Sequence, residues 1–156
     1  MRSWHLKLAA AALLGLAVAE AGPVVLAAQP AGPTQPGPVD PDAPKTFNTT
    51  ESGLKYRVLR KSKRSHPVKT DTVTVMYRGW LNDGTEFDSS YKTGKPISFR
   101  LDGVIKGWGE GVQLVGEGGM IELEIPPELG YGRQGIPGTI PPQATLHFIV
   151  ELVRIR

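Results

Sequence analysis

The chain has 156 residues, a formal net charge of +3 and no cysteine. This length suits one domain with extensions, and the mild charge gives little reason to expect a nucleic acid as a partner. The lack of cysteine excludes a disulfide framework, a thiol nucleophile and a lipid-bearing cysteine, so stability has to come from packing.

The N-terminal segment has the pattern of an export signal. Arg2 and Lys7 precede an apolar run over residues 8–19, which is too short for a comfortable membrane span and is followed by small residues that suit cleavage. We predict a signal peptide over residues 1–21, with the cut as late as residue 28. Cleavage would give an exported protein, periplasmic or secreted, with no membrane attachment. The alternative is an uncleaved N-terminal anchor.

Proline recurs almost every third residue from Gln29 to Lys45. This composition favours an extended, polyproline-like backbone with little apolar surface to bury. We therefore predict a flexible linker over residues 22–51 and a folded domain over residues 52–156. Because such a linker would not pack on the domain, deleting its proline-rich part, Gln29 to Lys45, should leave the melting temperature nearly unchanged. A proline-rich ligand for a binding module is the alternative interpretation.

Alternating apolar and polar residues predict the strands of the folded part. The runs lie at residues 56–59, 72–78, 97–101, 121–125 and 145–155. Asp83 and Gly84 form a hairpin turn signal after the second run. The last run carries apolar residues on both faces, which predicts a central strand covered on both sides.

A basic group begins within the first predicted strand and continues after it. Its members are Arg57, Arg60, Lys61, Lys63 and Arg64. We favour a charged strand edge that resists aggregation, because charges on an exposed edge discourage pairing with another chain. A nucleic-acid contact is the alternative.

Residues 103–115 form a short helix pattern. Four apolar residues from Ile105 to Val115, Trp108 among them, recur at the spacing of one helical face. Three glycines interrupt the segment, and each costs roughly 0.5 to 1 kcal/mol relative to alanine in a helix interior. The helix therefore has to be wrapped by other elements, and antiparallel strands around one helix predict an α+β domain. On this segment alone, Trp108 is interpreted as a core residue.

Three further segments are more specific together than any one alone. They are Leu-Asn-Asp-Gly-Thr-Glu-Phe-Asp-Ser-Ser over residues 81–90, Val-Ile-Lys-Gly-Trp over residues 104–108, and Gly-Tyr-Gly followed by Ile-Pro-Pro-Gln-Ala-Thr-Leu over residues 130–146. Their order and spacing closely resemble the FKBP-type peptidyl-prolyl isomerases over residues 52–156. The resemblance implies a strongly twisted, five-stranded antiparallel sheet curled around the short helix, with an apolar pocket between them.

The resemblance also implies which residues form this pocket. The catalytic positions would be Tyr77, Phe87, Asp88, Trp108, Tyr131 and Phe148. The substrate-binding positions would be Ile97, Val104, Ile105, Ile136 and Ile140. Trp108 would be the pocket floor, the Tyr131 hydroxyl and the Ile105 backbone N–H would hold peptide carbonyls, and Asp88 would orient the pocket through Tyr77.

Three departures from the family pattern concern the rim of the pocket. They are Thr93 where an arginine is common, Ile97 where an aromatic residue is common, and Ile136 and Thr139 where a histidine and an isoleucine are frequent. Thr93 cannot supply charge to Asp88, although Lys92 or Lys95 could. These departures affect rim contacts and substrate preference.

The implied function is rotation of X-Pro peptide bonds in exported proteins, where slow proline steps can limit folding. Proline-containing polypeptides would be the partners and macrolides such as tacrolimus further ligands, with no cofactor, metal or nucleic acid and a monomeric chain. A non-catalytic holdase or binding module that uses the same cleft is the alternative. Without the resemblance, Asp88 could make an Asx turn, Tyr131 could plug a loop and Phe148 could be ordinary core.

Overall fold

A computed structural model describes residues 32–156. The signal peptide predicted over residues 1–21, and its alternative cut near residue 28, lie outside the described residues. Seven strands are described: β1 (Asn48–Thr49), β2 (Lys55–Arg60), β3 (Thr72–Leu81), β4 (Glu86–Ser89), β5 (Ile97–Arg100), β6 (Met120–Ile125) and β7 (Leu146–Ile155). The helix α1 (Lys106–Gly111) continues as a 3-10 turn, Val112–Leu114.

The strands form one antiparallel sheet in the order β1-β2-β6-β7-β3-β4. β5 pairs with the first half of β3 and β4 with its second half, so these two strands share one edge of the sheet. The predicted α+β class, an antiparallel sheet around one short helix, is confirmed. The predicted number of five strands corresponds to β2, β6, β7, β3 and this divided edge, and the two-residue β1 was not foreseen.

Glycines allow α1 to lie close against the inner face of the sheet. A Cβ atom on Gly107 would come within 2.5 Å of Ile125, and one on Gly111 within 2.6 Å of Leu123. Both contacts are closer than packed carbon atoms tolerate, so these positions require glycine. The helix is shorter than predicted and begins at Lys106, because Ile105 is its N-cap with an extended backbone.

The central strand β7 is covered differently on its two faces. On the inner face, which packs on α1, the alternate residues Leu146, Phe148, Val150 and Leu152 are buried. On the outer face Ile149 and Glu151 are half-buried and Val153 is 45% exposed. The prediction that both sides would be covered is therefore wrong toward the end of the strand, where Val153 lies at the register shift between β7 and β3.

The proline-rich segment packs on the domain. We call residues 32–45 the N-terminal strap. The Asp40 N–H donates to the Leu59 carbonyl at 2.8 Å, the Lys61 N–H donates to the Asp40 carboxylate at 2.7 Å, and β1 then pairs with β2. The expectation of a flexible linker does not hold for residues 32–51, because residues between the prolines keep N–H groups and side chains that bond to the sheet.

The basic group is largely paired with acidic side chains. The pairs are Arg57–Glu122, Arg60–Glu151, Lys61–Asp42 and Arg64–Glu117. These partners lie on β6, β7, the strap and the turn before β6, so much of the positive charge is neutralised locally. Among residues 32–156, no helix is both long enough and apolar enough to cross a membrane.

Candidate active site

Aromatic side chains from three strands, β3, β5 and β7, contact Trp108. The Trp108 ring centroid lies 5.2 Å from that of Tyr77, 5.7 Å from Phe99 and 5.4 Å from Phe148, each pair in an edge-to-face arrangement. Phe87 contacts Phe148 in the same way at 5.4 Å. Trp108 is fully buried, and its indole N–H has no hydrogen-bond partner among residues 32–156. Such edge-to-face pairs stabilise a cluster beyond simple burial.

Two residues of this cluster were missed from the sequence. Phe99 lies on the same face of β5 as Ile97. The alternating pattern of that strand could therefore have identified it as a site residue. Gly79 makes room for the phenylalanines, since a Cβ there would lie 2.7 Å from Phe148 and 2.8 Å from Phe87. A glycine inside a strand marks this kind of close approach.

The Tyr77 hydroxyl donates a hydrogen bond to the Asp88 carboxylate at 2.5 Å. Burial raises the pKa of Asp88, and the hydrogen bond from Tyr77 opposes that rise. Burial, followed by the contact with Asp88, raises the pKa of Tyr77 well above its ordinary value. The phenol therefore stays a donor at neutral pH, and the predicted contact between Asp88 and Tyr77 is present.

The remaining predicted residues border this cluster. Ile97, Val104, Ile105 and Ile136 are half-buried and Ile140 is buried. Ile136 and Ile140 exchange two backbone hydrogen bonds of 2.8 Å, which close the late loop on itself. Burial and the nearby charge of Asp88 raise the pKa of Tyr131 to about 12.

Besides the buried Trp108 indole N–H, two hydrogen-bond donors at the pocket have no acceptor among residues 32–156. They are the Tyr131 hydroxyl and the Ile105 backbone N–H. Ile105 precedes the first turn of α1, where backbone N–H groups have no partner within the helix. Its own carbonyl accepts from the Trp108 and Gly109 N–H groups. Both donors can therefore hold carbonyl groups of a bound peptide.

The charge near Asp88 differs from the family pattern. The Thr93 hydroxyl donates to the Ser90 carbonyl at 3.1 Å, and Lys92 forms an ion pair with Glu86 at 3.0 Å. The carboxylate of Asp88 thus has a tyrosine rather than a cation as its hydrogen-bond partner. Lys92 therefore acts on Asp88 only through its charge, which lowers the pKa of that carboxyl less than the Tyr77 hydrogen bond does.

A cavity of about 390 Å³ lies beside α1, away from the aromatic rings. Its lining includes Lys69, Asp102, Lys106 and Glu110, and of the predicted site residues it contains Val104. We place the candidate site at the aromatic cluster instead, because the rings, the carboxylate and the two open donors converge there. In residues 32–156, no group of three His, Asp or Glu side chains is placed to hold a metal ion.

An antiparallel sheet that wraps a short helix over an aromatic pocket defines a class of peptide-binding isomerases. The family described as FKBP-type peptidyl-prolyl cis-trans isomerase matches residues 63–153. The chain therefore belongs to this family.

Its similarity to individual members is high within this domain. The chain is 53% identical over 112 residues to the FKBP-type peptidyl-prolyl cis-trans isomerase FkpA of Escherichia coli strain K12, a match that covers 72% of this chain and 41% of that protein. It is 49% identical over 108 residues to the FKBP-type 22 kDa isomerase of the same organism, covering 69% and 52%. The chain spans about half the length of the curated relatives that it matches.

Solved structures give the same result. The crystal structure of FkpA from Escherichia coli superposes with a TM-score of 0.69 at 51% identity, covering 72% of this chain and 53% of that one. The crystal structure of AtFKBP13 superposes with a TM-score of 0.66 at 35% identity, covering 71% of this chain and 99% of that one.

Proposed function

We propose that this protein catalyses the cis–trans isomerisation of X-Pro peptide bonds in exported polypeptides. The observation that carries the proposal is the pairing of two open donors, the Tyr131 hydroxyl and the Ile105 N–H, with an apolar floor at Trp108. This arrangement can hold a peptide by its carbonyl groups while the proline ring lies on apolar surface. Family membership supports the same activity.

Rotation about an X-Pro bond requires no nucleophile. The barrier is ~18 to 20 kcal/mol because the C–N bond has partial double-bond character, and the uncatalysed step takes tens to hundreds of seconds. Twisting removes the resonance that places negative charge on the carbonyl oxygen, so an apolar pocket favours the twisted form over the planar one. Lowering the barrier by roughly 7 kcal/mol would accelerate rotation by about five decades. Most of this lowering of the barrier has to come from tighter binding of the twisted form than of the planar form.

Each predicted residue has a role in this scheme. Trp108 and Phe148 form the apolar floor, and Phe87 stands against Phe148 at its edge. Asp88 fixes the ring of Tyr77 through their hydrogen bond. The side chains of Ile97, Val104, Ile136 and Ile140 line the surface on which the residues flanking proline lie. Macrolides such as tacrolimus would occupy the same pocket, and the isomerase domain over residues 52–156 would act as a monomer.

Replacing Tyr131 with phenylalanine tests the catalytic role directly. The change removes one hydroxyl and keeps the ring, so we expect a nearly unchanged melting temperature. One neutral hydrogen bond contributes ~0.5 to 1.5 kcal/mol, which predicts a fall in kcat/KM of about two- to ten-fold. The measurement is isomerisation of a short X-Pro peptide beside its equilibrium dissociation constant.

The comparison of rate and binding separates catalysis from simple binding. If Tyr131→Phe lowers kcat/KM more than it weakens ground-state binding, the hydroxyl acts on the twisted form. If the wild-type protein binds proline peptides and suppresses aggregation without accelerating isomerisation, the protein is a holdase.

Export follows from the charged and apolar pattern of residues 1–21. We expect N-terminal sequencing of protein recovered outside the cytoplasm to give a start between about residue 20 and residue 29. Retention of Met1 on soluble protein from that fraction would contradict cleavage. Periplasmic or secreted localisation is part of the same proposal.

A further inference from the structure

The carboxylate of Glu151 is the centre of a hydrogen-bond network on the outer face of the sheet. It accepts from the Gly37 N–H at 3.0 Å, from the Arg60 guanidinium at 2.7 Å and from the Tyr91 hydroxyl. Burial alone would raise the pKa of Glu151, but the Tyr91, Arg60 and Gly37 donors hold it below its usual value. The carboxylate therefore stays charged and binds three separate parts of the chain.

One of these parts is the N-terminal strap. The Arg60 guanidinium bonds to the Pro38 carbonyl at 3.2 Å as well as to Glu151, so strap and strand are joined twice at this point. At its start the strap lies against the loop after β4. A Cβ atom on Gly32 would lie 1.8 Å from the Gly94 carbonyl oxygen, which shows how closely the two backbones approach.

The second part consists of the end of β4 and the turn after it. We call this segment, residues 88–94, the site turn. The Ser90 hydroxyl accepts from the Tyr77 N–H at 2.9 Å, and this bond fixes the turn to β3. The Tyr91 side chain is 4% exposed and its hydroxyl reaches Glu151 on β7. Tyr91 lies three positions after Asp88 along the chain. The site turn is thus held from the inside by Ser90 and from the outside by Tyr91.

We propose that the N-terminal strap holds the site turn in its working geometry through Glu151 and Tyr91, so that these two act as positioning residues for the Asp88–Tyr77 pair. Neither of them belongs to the pocket, and their effect reaches it through the backbone of the site turn. The proposal rests on the proposed isomerase function, because its main measurement is a rate.

The chain provides a matched control for Glu151. Glu122 lies on the same outer face, and its ion pair with Arg57 has a length of 2.6 Å. The two glutamates are 12% and 13% exposed, and their arginines are 27% and 24% exposed. Arg57 also bonds to the strap, at the Lys45 carbonyl. Among residues 32–156, however, Glu122 makes no hydrogen bond to the site turn.

The experiment compares Glu151→Ala with Glu122→Ala in the full chain. We expect both changes to lower the melting temperature, and Glu151→Ala to lower it more, because it also removes the acceptor of the Gly37 N–H and the Tyr91 hydroxyl. At a temperature well below both transitions, Glu151→Ala should lower kcat/KM by about three- to ten-fold, the effect of losing one or more positioning hydrogen bonds. Glu122→Ala should keep the wild-type rate. Equal rates for the two variants would overturn the proposal.

Two milder variants test the proposal if the Glu151→Ala protein fails to fold. Tyr91→Phe removes only the hydroxyl, and Gly37→Ala places a methyl group 2.9 Å from the Arg60 guanidinium and 3.0 Å from the Glu151 carboxylate. We expect each to lower kcat/KM with little change in peptide affinity, and to combine with less than additive effect, because they act through one network. Additive effects, or a wild-type rate for Tyr91→Phe, would contradict the proposal.

Amide hydrogen exchange separates this proposal from the function on which it rests. Tyr91→Phe should speed exchange of the site turn and leave α1 unchanged. If the wild-type protein shows no isomerase activity, the proposed function fails and the positioning role fails with it, whatever the exchange shows. If the wild-type protein is active and the variants keep both its rate and its exchange, the strap proposal alone is wrong.

Discussion

Replacing Trp108 with alanine should destabilise the protein by about 3 to 5 kcal/mol, the usual range for truncating a buried aromatic residue. The side chain is fully buried and makes edge contacts with Tyr77, Phe99 and Phe148. Its loss leaves a cavity beneath the proposed proline site. Peptide and tacrolimus binding should therefore weaken together with stability. Urea unfolding and a binding titration below the melting temperature measure the two effects.

Trp80 provides the control for this substitution. It is half-buried on the outer face, where its ring stacks on His147 at a centroid distance of 5.7 Å. Trp80→Ala should cost much less free energy of unfolding, because less surface returns to water, and should leave peptide affinity unchanged. A Trp108→Ala variant that unfolds no more easily than Trp80→Ala would show that the aromatic cluster does not support the site.

Deleting the N-terminal strap, residues 32–45, should lower the melting temperature by roughly 10 °C or more. The deletion removes the bonds from Gly37 to Glu151 and from Asp40 to Leu59, and the bond from Lys61 to Asp40. Each is worth ~0.5 to 1.5 kcal/mol, and 1 kcal/mol shifts the melting temperature of a domain this size by about 4 to 8 °C. Glu151 also loses a donor while it stays half-buried, which adds to the cost.

The measurement is thermal unfolding followed by circular dichroism, with Asp42→Ala as the control. The Asp42–Lys61 pair also joins the strap to the residue that follows β2, but its side chains are 70% and 63% exposed. Exposed ion pairs contribute little, so this variant should melt close to the wild type. A strap deletion that melts like Asp42→Ala would support the flexible linker that the proline pattern predicted.

The fold could be predicted because the spacing of apolar residues and the residue types that favour turns are local features of the sequence. Alternation located the main strands, Asp83 and Gly84 located the hairpin, and the apolar stripe located α1. The length of α1 was overestimated, since the glycines that let it approach β6 also weaken its ends. β1 was missed because a strand of two residues is too short to show an alternation of apolar and polar side chains.

The site was predictable through the resemblance and much less through the residues alone. Nothing local in the sequence shows that the Asp88 carboxylate meets the Tyr77 hydroxyl, since the contact depends on the pairing of β3 with β4. Gly79 was missed for the same reason. The rings of Phe87 and Phe148, which fill the space where a side chain at this position would lie, come from two other strands.

The strap illustrates a different limit. Proline content describes what a segment lacks, namely N–H donors and bulky apolar groups. It does not describe the partners of the residues between the prolines. Gly37 and Asp40 keep their N–H groups, and their acceptors on Glu151 and Leu59 lie far away along the chain.

The most direct test of the proposed activity is the rate of cis-to-trans conversion of a short X-Pro peptide at increasing concentrations of the full-length protein. The aromatic pocket with its two open donors predicts a rate that rises in proportion to protein concentration and returns to the uncatalysed value when tacrolimus fills the pocket. A rate that stays at the uncatalysed value while a parallel titration shows the peptide bound would contradict it.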